Sequence, residues 1–235
     1  LVGNIALMAF YTVVCGWLIY YFYKFVIGQN QSLGFVSMIS DPTVNVTFLF
    51  VTVAVAFVIL SFHLQGGLER ITKIMMTSLL ILMIILAVHS LLLDGAGKGM
   101  LFYLKPDFSK INGSVVVGAM NQAFFTLSVG MGGMAIFGSY IGKDHALLGE
   151  SMNIALLDTF VAITSGLIIF PACFTFNVDQ TSGPSLIFIT LPNIFNHIPL
   201  GRLWGSLFFI FMSFAAFSTI LAVFENIISC GMELT

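Results

Sequence analysis

Six stretches of this chain, residues 4–26, 44–63, 72–93, 115–141, 151–176 and 203–229, are each apolar over a membrane-crossing length. A transmembrane helix needs about 20 such residues, so each run matches one crossing. The rest of the composition agrees: charged residues make up 8% and the mean hydropathy is +1.07, against about 25% charged residues in a soluble domain. The expected fold class is therefore an all-α integral membrane protein. A net charge of -2 leaves no nucleic-acid footprint. The first apolar run has no basic leader and no small-residue cleavage site, so it is not expected to be a secretory signal. A shorter apolar piece at 185–197 contains Pro192 and precedes Pro199. It is too short to span and fits a re-entrant or extracellular helix pair. Polar loops are expected at Asp94–Gly113 and Gly28–Pro42.

The span at 115–141 is interrupted. Asn121-Gln-Ala-Phe-Phe-Thr-Leu-Ser-Val-Gly-Met-Gly-Gly133 carries a Thr, a Ser and three glycines. Glycine weakens a helix, and Ser and Thr bond backbone groups outside it. Opened backbone at membrane depth is tolerated only where it is buried in protein or lines a polar cavity. A broken span is therefore a pointer to a substrate and ion site near the midplane. The blander alternative is close helix packing through the glycines. Gly130-Met-Gly-Gly-Met-Ala135 formally matches a dinucleotide fingerprint, but no βαβ unit surrounds it.

Asp158 lies inside an apolar run. A carboxylate there costs about 2.5–3.5 kcal/mol on insertion scales and needs a partner. No Lys or Arg lies deep in a span, which leaves a cation as its natural partner. Glu225 is also within a span, equally open to a structural or a functional role. Ser218 and Thr219 offer hard oxygens suited to alkali cations, although such hydroxyls commonly bond the carbonyl one turn back. Cys15, Cys173 and Cys230 are isolated, and His63, His89, His145 and His197 show no ligand spacing. Neither set suggests a disulfide framework or a transition-metal site. The sequons at Asn45 and Asn112 matter only in a secretory context.

Five segments in order give the chain a resemblance to a known family. They are Gly66-Gly-Leu-Glu-Arg-Ile-Thr-Lys73, Tyr103-Leu-Lys-Pro-Asp-Phe108, Phe124-Phe-Thr-Leu-Ser-Val-Gly-Met-Gly132, Gly183-Pro-Ser-Leu-Ile-Phe-Ile-Thr-Leu-Pro192 and Phe214-Ala-Ala-Phe-Ser-Thr219. Together they resemble the neurotransmitter:sodium symporter family, in its branch of bacterial amino-acid transporters. The resemblance implies a partial inverted-repeat sodium symporter fold with about six transmembrane helices, the family's third to eighth, and a broken sixth-span helix. It places Leu1 and Thr235 on the cytoplasmic side. The positive charges alone favour the reverse, with Lys98, Lys105, Lys110 and Arg202 on one side and Arg70, Lys73 and Lys143 on the other.

By resemblance, Tyr11 matches the tyrosine that holds the substrate carboxylate, and Phe125 the aromatic lid. Ser128 matches a substrate contact in the unwound stretch. Leu7, Phe125, Met131 and Val223 line the implied side-chain pocket, with Thr219 also on the substrate side. Thr126 and Asp158 fall at the first sodium site; Ala215, Ser218 and Thr219 fall at the second. Gln122 matches the outer gate, and Tyr140 and Glu233 the inner gate. Each of the two sodium sites is half supplied by this chain.

The implied function is sodium-coupled symport of a hydrophobic L-amino acid by alternating access, in a multi-pass protein of the cell membrane, with no enzymatic chemistry. A homodimer is one arrangement open to it. Two departures stand out. Asp158 replaces a neutral amide common in relatives, so its charge could stand in for chloride, and chloride-independent transport is expected. Thr77 replaces a proline that often follows ten residues after Gly67, so any helix opening there would differ. The alternatives are a non-transporting truncated remnant and an intramembrane enzyme using Asp158 and Glu225 as an acid pair.

Overall fold

The computed structural model describes residues 2–61, 65–129, 138, 146–177 and 183–233. The secondary structure described is helical: α1 (Val2–Val26), α2 (Phe35–Ile39), α3 (Pro42–Ser61), α4 (Gln65–Leu91), α5 (Ala96–Leu104), α6 (Gly113–Thr126), α7 (Leu147–Phe176), α8 (Leu191–His197) and α9 (Gly201–Glu233), with short 3-10 turns at Asn30–Ser32 and Phe108–Lys110. Even α3, with its run of Val, Thr and Phe, is a helix. A helix closes every backbone hydrogen bond within the segment, which hydrocarbon demands and which outweighs β propensity.

Among the described residues, α1, α7 and α9 contain stretches long and apolar enough to cross a membrane, at Gly3–Val26, Leu147–Phe176 and Gly201–Leu221. Met76–Leu91 and Ala96–Leu104 form a bent pair at 116°. The glycine-bearing segment expected as a plain loop at Asp94–Gly113 thus folds into α5 and the following 3-10 turn. The Asp107 carboxylate caps that turn by accepting from the Ser109 amide and hydroxyl. The Ser109 hydroxyl holds this carboxyl below its ordinary range. The second expected loop, Gly28–Pro42, holds a 3-10 turn and α2.

Helix α1 is the hub, packing along α9 and against α3, while α4 packs against α7 and α9, and α5 lies on α7. The α1–α9 seam is antiparallel. Phe25 lies over Gly205, the Tyr21 and Phe209 rings are 5.2 Å apart, and the Cys15 thiol approaches the Ser213 carbonyl at 4.0 Å. A side chain at Gly205 would collide with the Phe25 ring. Close packing of this kind is what holds helices together where lipid removes the hydrophobic drive.

The seam has a regular register. Leu7, Tyr11, Val14, Leu18, Tyr21 and Phe25 recur at steps of three and four along one stripe of α1. Val223, Thr219, Ala216, Met212, Phe209 and Gly205 do the same on α9. From the observed Phe25–Gly205 and Tyr21–Phe209 pairs, the shared rise of 1.5 Å per residue brings Tyr11 level with Thr219 and Leu7 level with Val223.

The piece at 185–197 is a π-helical turn, Leu186–Thr190, running into α8. Pro192 has no N–H to give the carbonyl four residues back, which belongs to Phe188. The Tyr21 hydroxyl supplies that bond at 2.8 Å, with both residues buried. Phe188 also meets Trp17 edge-on and stacks on Phe35 at 5.4 Å. Asn30, in the 3-10 turn that follows α1, donates to the Asn196 side chain of α8 at 2.6 Å.

Candidate functional site

Helix α6 breaks off inside its apolar run, and the manner of the break builds the site. Asn112 caps its start by accepting from the Val115 amide. At the other end the Val129 amide donates to the Phe124 carbonyl, and the Ser128 amide to the Phe125 carbonyl. That pair of bonds is a Schellman motif, whose turning residue must be left-handed. The turning residue is Ser128, at φ +54°. The end of α1 uses the same motif with Gly28 at φ +78°. A serine in this conformation costs about 1–2 kcal/mol. Strain of that kind is characteristic of functional sites. The expected interruption is therefore present, and it begins one turn ahead of Gly130.

Two side-chain oxygens converge at this break. The Thr126 hydroxyl, on the last helical residue of α6, donates to Asp158 Oδ1 at 3.0 Å. Asp158 is the twelfth residue of α7, about 16 Å along the helix axis from its start. A hydroxyl and a carboxylate within hydrogen-bond distance are hard donors of the type an alkali cation takes. The carboxylate also brings the balancing charge, so the donor set fits sodium.

On α9, the Ser218 hydroxyl donates to the Ala215 carbonyl at 2.8 Å and the Thr219 hydroxyl to the same carbonyl at 3.3 Å. The two hydroxyls and the carbonyl thus form one oxygen cluster. It is also the ordinary back-bonding pattern of helical Ser and Thr. Thr219 lies level with Tyr11 across the seam, and Tyr11, Leu7, Ser218, Thr219, Ala215 and Val223 are all half-buried. Gln122, Phe125 and Thr126 are exposed, and no residue of α6 is buried. Met131 and Tyr140 lie outside the described residues, as do the side chains of Glu225 and Glu233.

Thr77 continues α4 without a break, its hydroxyl bonding the Lys73 carbonyl at 2.8 Å. Asn45 is a structural residue. Its amide donates to the Met38, Ile39 and Asp41 carbonyls while its oxygen accepts from the Trp17 indole at 2.7 Å. Neither Asn45 nor Arg202, described below, stood out as important in the sequence. An asparagine at a helix start and an arginine three residues after a proline read as generic loop chemistry.

The fold defines a multi-pass, all-α membrane protein with a broken helix whose end meets the Asp158 carboxylate through Thr126. A family model described as the sodium:neurotransmitter symporter family matches residues 29–234, and the chain belongs to that family. It is 32% identical over 244 residues to an uncharacterized sodium-dependent transporter of Haemophilus influenzae, covering 99% of this chain and 53% of the relative. It is 32% identical over 229 residues to an uncharacterized sodium-dependent transporter of Bacillus subtilis, covering 94% and 51%. The crystal structure of MhsT in complex with L-phenylalanine superposes with a TM-score of 0.85 and 37% identity, covering 94% of this chain and 52% of that one. The chain spans about half the length of the curated relatives it matches. The architecture is thus part of the inverted-repeat symporter fold. The relatives are transporters, and the acid-pair enzyme alternative falls with that finding.

Proposed function

We propose that residues 1–235 are the central part of a symporter that couples sodium entry to uptake of a hydrophobic L-amino acid by alternating access across six helical crossings of the cell membrane. The observation that carries this reading is the meeting of Thr126 and Asp158 at the broken end of α6. Sodium is a co-substrate: Thr126 and Asp158 hold one ion, and the Ala215, Ser218 and Thr219 oxygens hold another. Tyr11 donates to the substrate carboxylate, and Ser128 offers its hydroxyl within the unwound stretch. Leu7, Phe125, Met131 and Val223 receive the apolar side chain. MhsT, crystallised with L-phenylalanine, supports that substrate class. Gln122 serves the outer gate, Tyr140 and Glu233 the inner one. Sodium bound at Asp158 stabilises the substrate-competent state by binding it better than the alternative. The fixed charge of Asp158 takes the place of an anion beside sodium, so chloride is not required.

The test is uptake into proteoliposomes holding the full natural gene product that contains this segment. Leu, Met and Phe should compete for labelled substrate far better than Glu or Lys, and replacing chloride by gluconate should leave uptake unchanged. Competition led by Glu or Lys would refute the substrate class. Loss of uptake in gluconate would refute chloride independence.

A further inference from the structure

The α1–α9 seam is a near-repeating stripe, and beyond the close approach of Phe25 to Gly205 its apolar residues do not choose a register. A slip of one turn, 5.4 Å, would again place apolar residues against apolar residues. In hydrocarbon no hydrophobic penalty selects between the two. Polar devices at single positions do fix register in packed helices, and one sits at the head of this seam. Arg202, in the first turn of α9, donates through Nε to the Phe25 carbonyl at 3.1 Å and through Nη2 to the Val26 carbonyl. These belong to the last turn of α1, where positive charge is favoured; the Phe25 carbonyl also accepts from the Gly28 amide. The same cation is disfavoured at the N-terminus of its own helix, so its placement is explained by α1. Gly28 leaves room for it: a Cβ there would stand 3.2 Å from Nη1.

We propose that Arg202 is a positioning residue. By gripping the end of α1 it sets the register of α1 against α9, and with it the alignment of Tyr11 with Thr219. Its effect on substrate and sodium rests on the transport reading above; the grip itself does not.

Two readouts on the full gene product separate these. The first is the distance between spin labels at Ile5→Cys and Leu203→Cys, exposed positions at opposite ends of the seam. Cys15, Cys173 and Cys230 are replaced by Ala in this background. Arg202→Ala should shift or broaden that distance by several ångströms, toward the 5.4 Å of one turn. The second is half-saturation in proteoliposomes. Arg202→Ala should raise the half-saturating concentrations of sodium and amino acid on the order of tenfold, and Arg202→Lys, which keeps charge but loses the fork, should fall between. If Arg202→Ala fails to fold, Arg202→Gln, which keeps a single N–H donor group and loses the charged fork, is measured in its place, and shifts of the same sign are expected. An unchanged label distance overturns the proposal. So does a variant with less folded protein or lower Vmax but unaltered half-saturation. If the wild type shows no sodium-driven uptake, the transport reading falls, and the label distance alone decides the register claim.

Discussion

The Thr126 hydroxyl reaches Asp158 Oδ1 at 3.0 Å, joining the last turn of a broken helix to the interior of a continuous one. Asp158→Asn keeps the shape and removes the charge. The half-saturating sodium concentration should rise on the order of tenfold, about 1.4 kcal/mol, and uptake should gain dependence on chloride as the anion restores the lost charge. Sodium titrations in chloride and in gluconate measure both effects.

Ser128 stands where Gly28 stands at the end of α1, with φ +54° against +78°. Ser128→Gly should relieve about 1 kcal/mol of strain and raise the thermal midpoint of the detergent-solubilised protein. Ser128→Val puts a β-branched residue at positive φ and should lower it. If Ser128→Gly also weakens amino-acid binding, the serine is retained for its hydroxyl at the expense of stability.

Tyr21 and Phe188 form a buried bond that replaces the one Pro192 cannot make. Tyr21→Phe leaves the Phe188 carbonyl without its donor and should cost about 1–3 kcal/mol. Pro192→Ala restores the local N–H, so the double variant should lose less than Tyr21→Phe alone. Thermal unfolding of the four proteins in detergent forms the cycle.

Much of this was legible in the sequence, for physical reasons that differ by element. Apolar length and scarce charge marked the long helices, because hydrocarbon leaves the backbone few options. Thr, Ser and Gly crowded into one run marked the break, and Asp158 stood out because a lone carboxylate at that depth requires a partner. The location of the break at Ser128 was hidden, since glycine is the expected residue for a left-handed turn and Gly130 lies close by. Helix α5 was hidden by its glycines, which signal a loop in general but here lie within a helix packed on α7. Arg202 and Tyr21 escaped notice because their partners are backbone carbonyls distant in sequence, and Asn45 because it joins the carbonyls of the preceding turn to the Trp17 indole, which no residue pattern announces.

The most direct measurement is uptake of labelled L-phenylalanine into proteoliposomes of the full gene product under an inward sodium gradient, beside Thr126→Ala and Asp158→Ala. Accumulation should collapse when the gradient is dissipated and be lost in Asp158→Ala, with Thr126→Ala requiring more sodium. Accumulation that persists without the gradient, or that both substitutions leave intact, would contradict sodium coupling at this site.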